Sequence, residues 1–131
     1  MIFLDTSAIY ALADRDDEHH QEAVRIYQAA LTKRESIIVH NYILVESAAL
    51  LQRRLSQQIA VQFLHDAESF TIIWIDEDLH AAARKRLEAS HSAQISFVDA
   101  ISFQVMTRHG ILSCLTFDKH FAQEGFSTYT A

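Results

Sequence analysis

Apolar residues along the chain fall into short unbroken runs and longer stretches recurring every three or four positions, the signatures of buried strands and amphipathic helices. Ile2-Phe3-Leu4 is a short run closed by Asp5-Thr6-Ser7 and predicts a buried strand. Residues 7–13 predict a first short helix, followed by a charged loop, Ala13-Asp14-Arg15-Asp16-Asp17. From 18 to 33, Ala23, Ile26, Tyr27, Ala30 and Leu31 recur at helical spacing. Residues 36–39 are rich in β-branched side chains and of strand length, and Asn41 stands where it would cap a helix through Ile43, Leu44, Ala48, Leu51 and Leu55. A helix over 56–68 leads to a strand at Thr71-Ile72-Ile73-Trp74-Ile75. An amphipathic helix over 77–90 carries Leu79, Ala83 and Leu87, and another over 96–109 stops at Gly110. Residues 111–116 predict a buried strand, 119–124 a single helical turn ended by Gly125, and 126–130 a final edge strand.

Short buried strands alternating with longer helices imply an α/β layer fold with a mostly parallel sheet. Ligands of such sheets bind beyond the carboxyl ends of the strands, near a switch in strand order. Asp5 ends the first predicted strand and Asp118 lies just past another, so both point to one edge of the sheet.

The chain has 131 residues, half of them hydrophobic, which suits one core and a single domain over 1–131. No apolar stretch is long enough to span a bilayer, and the N-terminus lacks the basic region and long apolar run of a secretory signal. The single cysteine, Cys114, lies among apolar neighbours and reads as a buried small hydrophobe. These features lead us to expect a cytoplasmic protein. The formal charge of −6 argues against a general nucleic-acid packaging protein, because binding would need a local basic face or bridging cations. Lys33-Arg34, Arg53-Arg54 and Arg84-Lys85-Arg86 read as solvated helix faces.

The candidate chemistry is acidic. Asp5 and Asp118 suit helix caps, Ser96 and Asp99 suit a capping box, and Glu46 suits an exposed helix position. Their neighbours change that picture. Glu46 sits within Ile43-Leu44-Val45-Glu46-Ser47-Ala48-Ala49, and Asp99 within Phe97-Val98-Asp99-Ala100-Ile101. Carboxylates in apolar settings need a paired or coordinated cation, and no lysine or arginine lies within one turn of Asp99 on its helix. Two carboxylates about 4 Å apart repel by roughly 4 kcal/mol at an effective dielectric near 20. Oxygen donors without organised cysteine or histidine select a hard ion, Mg²⁺ or Mn²⁺. Such an ion, with positions open to phosphate, suits phosphodiester hydrolysis.

The chain resembles the PIN-domain ribonucleases, in particular the stand-alone VapC-type toxins of toxin–antitoxin pairs. The likeness rests on Phe3-Leu4-Asp5-Thr6-Ser7, Asp17-Glu18-His19-His20, Glu46, Ser96-Phe97-Val98-Asp99-Ala100 and Thr116-Phe117-Asp118-Lys119-His120-Phe121, in that order. It implies a three-layer Rossmann-like fold with a five-stranded sheet ordered 3-2-1-4-5, strands one and four side by side. It implies that Asp5, Glu46, Asp99 and Asp118 bind Mg²⁺ or Mn²⁺ and are catalytic, with Ser7 and Thr116 orienting carboxylates or water. It further implies an RNA substrate cut endonucleolytically, a small antitoxin partner and a homodimer. Glu18 replaces a proline common before the His pair, and His40-Asn41 stands where Ser or Thr is common.

Other sites are poorly supported. The eight histidines form no His-Glu-x-x-His motif, and His19-His20 read as a helix start. His120 lies near enough to Asp118 to meet substrate phosphate. Trp74 and the phenylalanines read mostly as core, with Phe121 packing the short helix on the sheet. No glycine-rich phosphate loop is present, and Ser7 stands where a haloacid-dehalogenase-like phosphatase carries its second aspartate. The alternatives are a non-catalytic PIN-like module binding RNA or a partner, and a Mg²⁺-binding receiver-like signalling domain. Lys119, adjacent to Asp118 rather than ending its own strand, fits the latter poorly.

Overall fold

A computed structural model describes residues 1–131. In chain order the elements are β1 (Ile2–Leu4), α1 (Thr6–Ala13), α2 (His20–Thr32), β2 (Ile37–His40), α3 (Asn41–Arg54), α4 (Gln57–Asp66), a 3-10 turn (Ala67–Ser69), β3 (Thr71–Ile73), α5 (Glu77–Ala89), α6 (Phe97–His109), β4 (Ser113–Leu115), α7 (His120–Gln123) and β5 (Ser127–Thr128). The strands form one parallel sheet in the order β3-β2-β1-β4-β5. This is the expected architecture, with every predicted element present and β3, β4 and β5 shorter than predicted. β3 stops at Ile73, two residues early. No helix is long and apolar enough to cross a membrane.

β1 lies in the middle, and all three of its residues are buried because both faces of a parallel sheet are covered. On one side α1 packs on α2 and α3, and α3 on α4; on the other α5 packs on α6. α6 is buried nearly all round because it sits between two layers. Phe103 and Met106 join the main core under the sheet, while Ile101 and Val105 meet Leu79 and Ala83 of α5. Phe121 is fully buried against Phe3 and Phe103, which fixes the one-turn α7 to the sheet as expected. Each such side chain taken out of water contributes about 1.5–3 kcal/mol. Cys114 is buried, and burial pushes its thiol up to about 12, in keeping with an inert hydrophobe. Trp74 departs from the core reading: at 69% exposed, it stands beyond the end of the shortened β3.

The start of α3 differs from expectation. His40, not Asn41, is the cap: its Nδ1 accepts the Ile43 N–H at 3.1 Å. Asn41 instead accepts the Ile75 N–H at 2.7 Å and ties down the chain after β3. With Nδ1 accepting, the His40 proton sits on Nε2 and is donated to Ser102 Oγ at 2.9 Å; Ser102 in turn donates to the Val98 carbonyl at 3.0 Å. A buried imidazole can cap a helix here because its second nitrogen reaches α6, a tertiary contact invisible to local cap preferences.

Two outcomes follow from these features. Burial pushes the His40 pKa down to about 3, against 6.5 in an unfolded chain. The native imidazole stays neutral below pH 6.5 while the unfolded one takes up a proton, so its stabilisation is complete above pH 6.5 and is lost towards pH 3. Asp5, described below, acts with the opposite sign, so the informative quantity is a difference between variants. The stability advantage of the native chain over His40→Asn should shrink by about 1.4 kcal/mol per pH unit as pH falls from 6.5, measured by urea unfolding; a gap constant with pH contradicts it. Separately, Arg34 closes α2 with φ of 57°, in the left-handed region, and it is exposed. Arg34→Gly should stabilise by about 1 kcal/mol and raise the melting temperature by a few degrees.

Candidate active site

The order β2-β1-β4 makes the carboxyl ends of β1 and β4 the point where the connections diverge to opposite sides of the sheet. Asp5 follows β1, and its N–H continues the ladder to the Leu115 carbonyl of β4 at 3.2 Å. Thr116 and Asp118 follow β4. Sheet register thus brings together residues more than a hundred positions apart.

Asp5 is 4% exposed. It caps α1, and its Oδ2 accepts the hydroxyls of Ser7 at 2.8 Å and Thr116 at 2.9 Å. Both hydroxyl protons are then committed, so the oxygens of Ser7 and Thr116, 3.2 Å apart, are left to accept. Ser7 Oγ accepts the Phe117 N–H at 3.0 Å, and Thr116 Oγ1 accepts the Asp118 N–H at 2.9 Å. Ser7 and Thr116 therefore orient a carboxylate, the role that the resemblance implied for them, and also fix the backbone carrying Asp118. Burial pushes the Asp5 pKa up to about 6; the hydroxyl bonds pull it down, and the charge of Asp99 pushes it further up.

Asp99 stands in the first turn of α6. Ser96 Oγ accepts the Asp99 N–H at 3.0 Å, and Asp99 Oδ2 accepts the Ser96 N–H at 3.1 Å, a complete capping box. Partial burial raises its pKa, the Ser96 N–H lowers it, and the Asp118 charge raises it. Asp118 Oδ1 accepts the His120 N–H at 2.9 Å and lies 2.6 Å from His120 Nδ1. That nitrogen is buried, yet its orientation gives it no hydrogen bond. Donor atoms of Asp99, Asp118 and His120 lie within 4.8 Å of one another.

A shared pattern emerges. Asp5, Asp99 and Asp118 each commit one carboxylate oxygen to bonds that hold it in place and leave the other without a hydrogen bond in the chain. No lysine or arginine pairs with any of them; Arg84 and Arg86 are engaged by Glu88 and Glu124 instead. Fixed, partly dry carboxylates facing one another have the donor chemistry of a hard divalent cation. The residues present fit Mg²⁺ or Mn²⁺.

Glu46 is placed differently. It lies half-buried on α3, at the border between the face that Ile43, Leu44 and Leu51 bury and the exposed side that carries Val45. Its side chain makes no hydrogen bond or ion pair within the chain, and it stands outside the close group formed by Asp99, Asp118 and His120. Its other neighbour, Ser47, donates to Thr6 Oγ1 at 3.2 Å and ties α3 to the residue after Asp5. His120 is the converse case, a group the sequence offered only as a phosphate contact but which the fold sets against Asp118. Its two-residue offset from Asp118 was the available signal.

Known proteins carry the same arrangement of chain. Two curated relatives from Mycobacterium tuberculosis, strains CDC 1551 / Oshkosh and ATCC 25618 / H37Rv, are named 23S rRNA-specific endonuclease VapC20. Each is 34% identical over 129 residues, covering 96% of this chain and 95% of the relative. The crystal structure of Mycobacterium tuberculosis VapC20, described as a sarcin–ricin loop cleaving toxin, superposes with a TM-score of 0.87 at 31% identity, covering 96% of each chain. The PIN domain profile matches residues 2–126, and with that span and those relatives this chain belongs to the PIN domain family.

Proposed function

We propose that this protein is a metal-dependent endoribonuclease, the toxin of a toxin–antitoxin pair, with an RNA of the 23S ribosomal class as substrate. The observation that carries the reading is the set of three aspartates after β1, in α6 and in the turn after β4, each held by one oxygen with the other unbonded, and none paired with a lysine or arginine.

In this reading Asp5, Asp99 and Asp118 hold Mg²⁺ or Mn²⁺, and Glu46 completes the catalytic set from α3. The cation supplies the positive charge that makes water acidic enough to attack phosphorus and that offsets charge gathering on the phosphate oxygens. Ser7 and Thr116 hold Asp5 in one rotamer, so its free oxygen needs no reorganisation when substrate arrives. The capping box does the same for Asp99. The water oxygen forms a bond to phosphorus as the bond to the leaving ribose oxygen breaks; the water gives up a proton to solvent, the leaving oxygen takes one up from solvent to become a hydroxyl, and no covalent enzyme intermediate forms.

Protein partners and a cytoplasmic location belong to the same proposal. A groove of about 410 Å³ lined by Leu4, Ile9, Leu12, Tyr27, Phe63 and Phe70 offers apolar surface of the kind an antitoxin segment would cover. Exposed Val45, Leu64 and Trp74, around a second groove, offer surface for a second copy of the chain.

A sarcin–ricin hairpin RNA incubated with the protein should be cut in Mg²⁺ or Mn²⁺ and left intact in EDTA; cutting that persists in EDTA removes the mechanism. Asp5→Asn and Asp99→Asn should each bring cleavage to background with the fold retained. Thr116→Val should lower cleavage about 10- to 100-fold, as expected for a group that orients a ligand. Thermal melting gives a readout without substrate. In EDTA, Asp99→Asn should melt above the native chain, because repulsion from Asp118 is relieved. In Mn²⁺ the order should reverse, since only the native chain gains from binding; a variant stabilised equally by Mn²⁺ would show that Asp99 is no ligand.

A further inference from the structure

His19 and Phe117 form a feature that the metal reading leaves unused. Their rings stack with centroids 4.4 Å apart and planes 7° from parallel. Phe117 packs on the core from one side, and His19, whose side chain is 46% exposed, covers it from the other. The outer surface of this two-layer plate belongs to His19.

Helix-start packing does not account for His19. Its neighbour His20 does that work, bonding the Ala11 carbonyl through Nδ1 at 2.7 Å. The His19 side chain makes no capping hydrogen bond, and the one carboxylate paired with its ring is that of Glu18, 3.4 Å away and itself 86% exposed. The loop beneath is nevertheless pinned. Asp14 Oδ1 accepts the Asp16 N–H at 3.0 Å, and Asp17 Oδ1 accepts the His19 N–H at 2.8 Å. An exposed ring is thus held flat on an aromatic base by a braced loop, the state of a surface prepared for a planar ligand.

Its location identifies the ligand. Phe117 adjoins Asp118, and its N–H bonds Ser7 Oγ, which donates to Asp5, so the plate is rooted in the bonds that hold the acids. A phosphate at the acids carries a nucleoside on each side, and one base can reach a surface anchored this close. Only an unpaired base has a free face to offer, and aromatic side chains are the usual platform for it. Resting on the nuclease reading above, we propose that His19, backed by Phe117, is a stacking ledge for an unpaired base flanking the cleaved phosphate, and so helps select single-stranded segments of RNA.

The test uses full-length Asp99→Asn protein, which leaves RNA uncut, and a sarcin–ricin hairpin carrying 2-aminopurine in its unpaired loop. Stacking should quench the fluorescence on binding. His19→Ala should abolish the quench and weaken binding about tenfold or more, whereas His19→Phe should keep both, because a flat ring suffices. In the cleaving protein, His19→Ala should raise KM while leaving kcat nearly unchanged. An unaltered quench and affinity in His19→Ala overturns the ledge while leaving RNA binding, and the nuclease reading, intact. A His19→Phe variant as weak as His19→Ala also overturns it, since the imidazole would then act by charge or hydrogen bonding. Absence of RNA binding in every variant overturns the nuclease reading and the ledge together.

Discussion

A carboxylate buried at the end of the central strand, with hydroxyls and no cation as its partners, sets the terms for the rest of the site. Asp5 cannot move to solvent, because β1 is covered on both faces and the residue after it begins a helix. Its charge is tolerated through two hydroxyl donors, and those same hydroxyls accept the backbone N–H groups of the turn after β4. The geometry of Asp118 is therefore a by-product of solvating Asp5. Burial and a neighbouring charge both oppose ionisation here, so the site stores unfavourable electrostatics that a bound cation would release. Fold stability is given up locally in return for affinity.

Asp99 reaches the same place by an independent route. A capping box fixes it within four residues of sequence, so its rotamer is set by local bonds rather than by tertiary contact. Its position in space depends instead on α6, wedged between the sheet and α5, and on the His40–Ser102–Val98 relay that ties the first turn of α6 to the end of β2. Local bonding orients this carboxylate and non-local packing places it.

Much of this was legible in the sequence. Element order follows from apolar periodicity, and the α/β class from its alternation. The acids at strand ends follow from the rule for parallel sheets, because Asp5 and Asp118 each end an apolar run. Strand order came from family likeness alone, since no spacing in the chain says that β1 adjoins β4. What misled was local context read without a partner. Asn41 looked like a cap until His40 found Ser102 across the fold. Apolar neighbours made Glu46 look buried, yet Val45 faces solvent. Trp74, strongly strand-forming, lies past a strand that its neighbour stops supporting at Ile73. His19 was legible only as part of a helix start within the family likeness, because its stacking depends on a ring 98 positions away.

The bond between Thr116 and Asp5 spans 111 positions of a chain that is made from its N-terminus. β1 is therefore made before its neighbour β4 and waits without the hydroxyl of Thr116 until β4 follows. Helices α1 to α6 can form in the meantime, yet two of the three aspartates have no fixed relation to one another. A product that stops before β4 lacks Thr116 and Asp118, so the buried carboxylate of Asp5 goes without one of its two hydroxyl donors and the acidic cluster is never assembled.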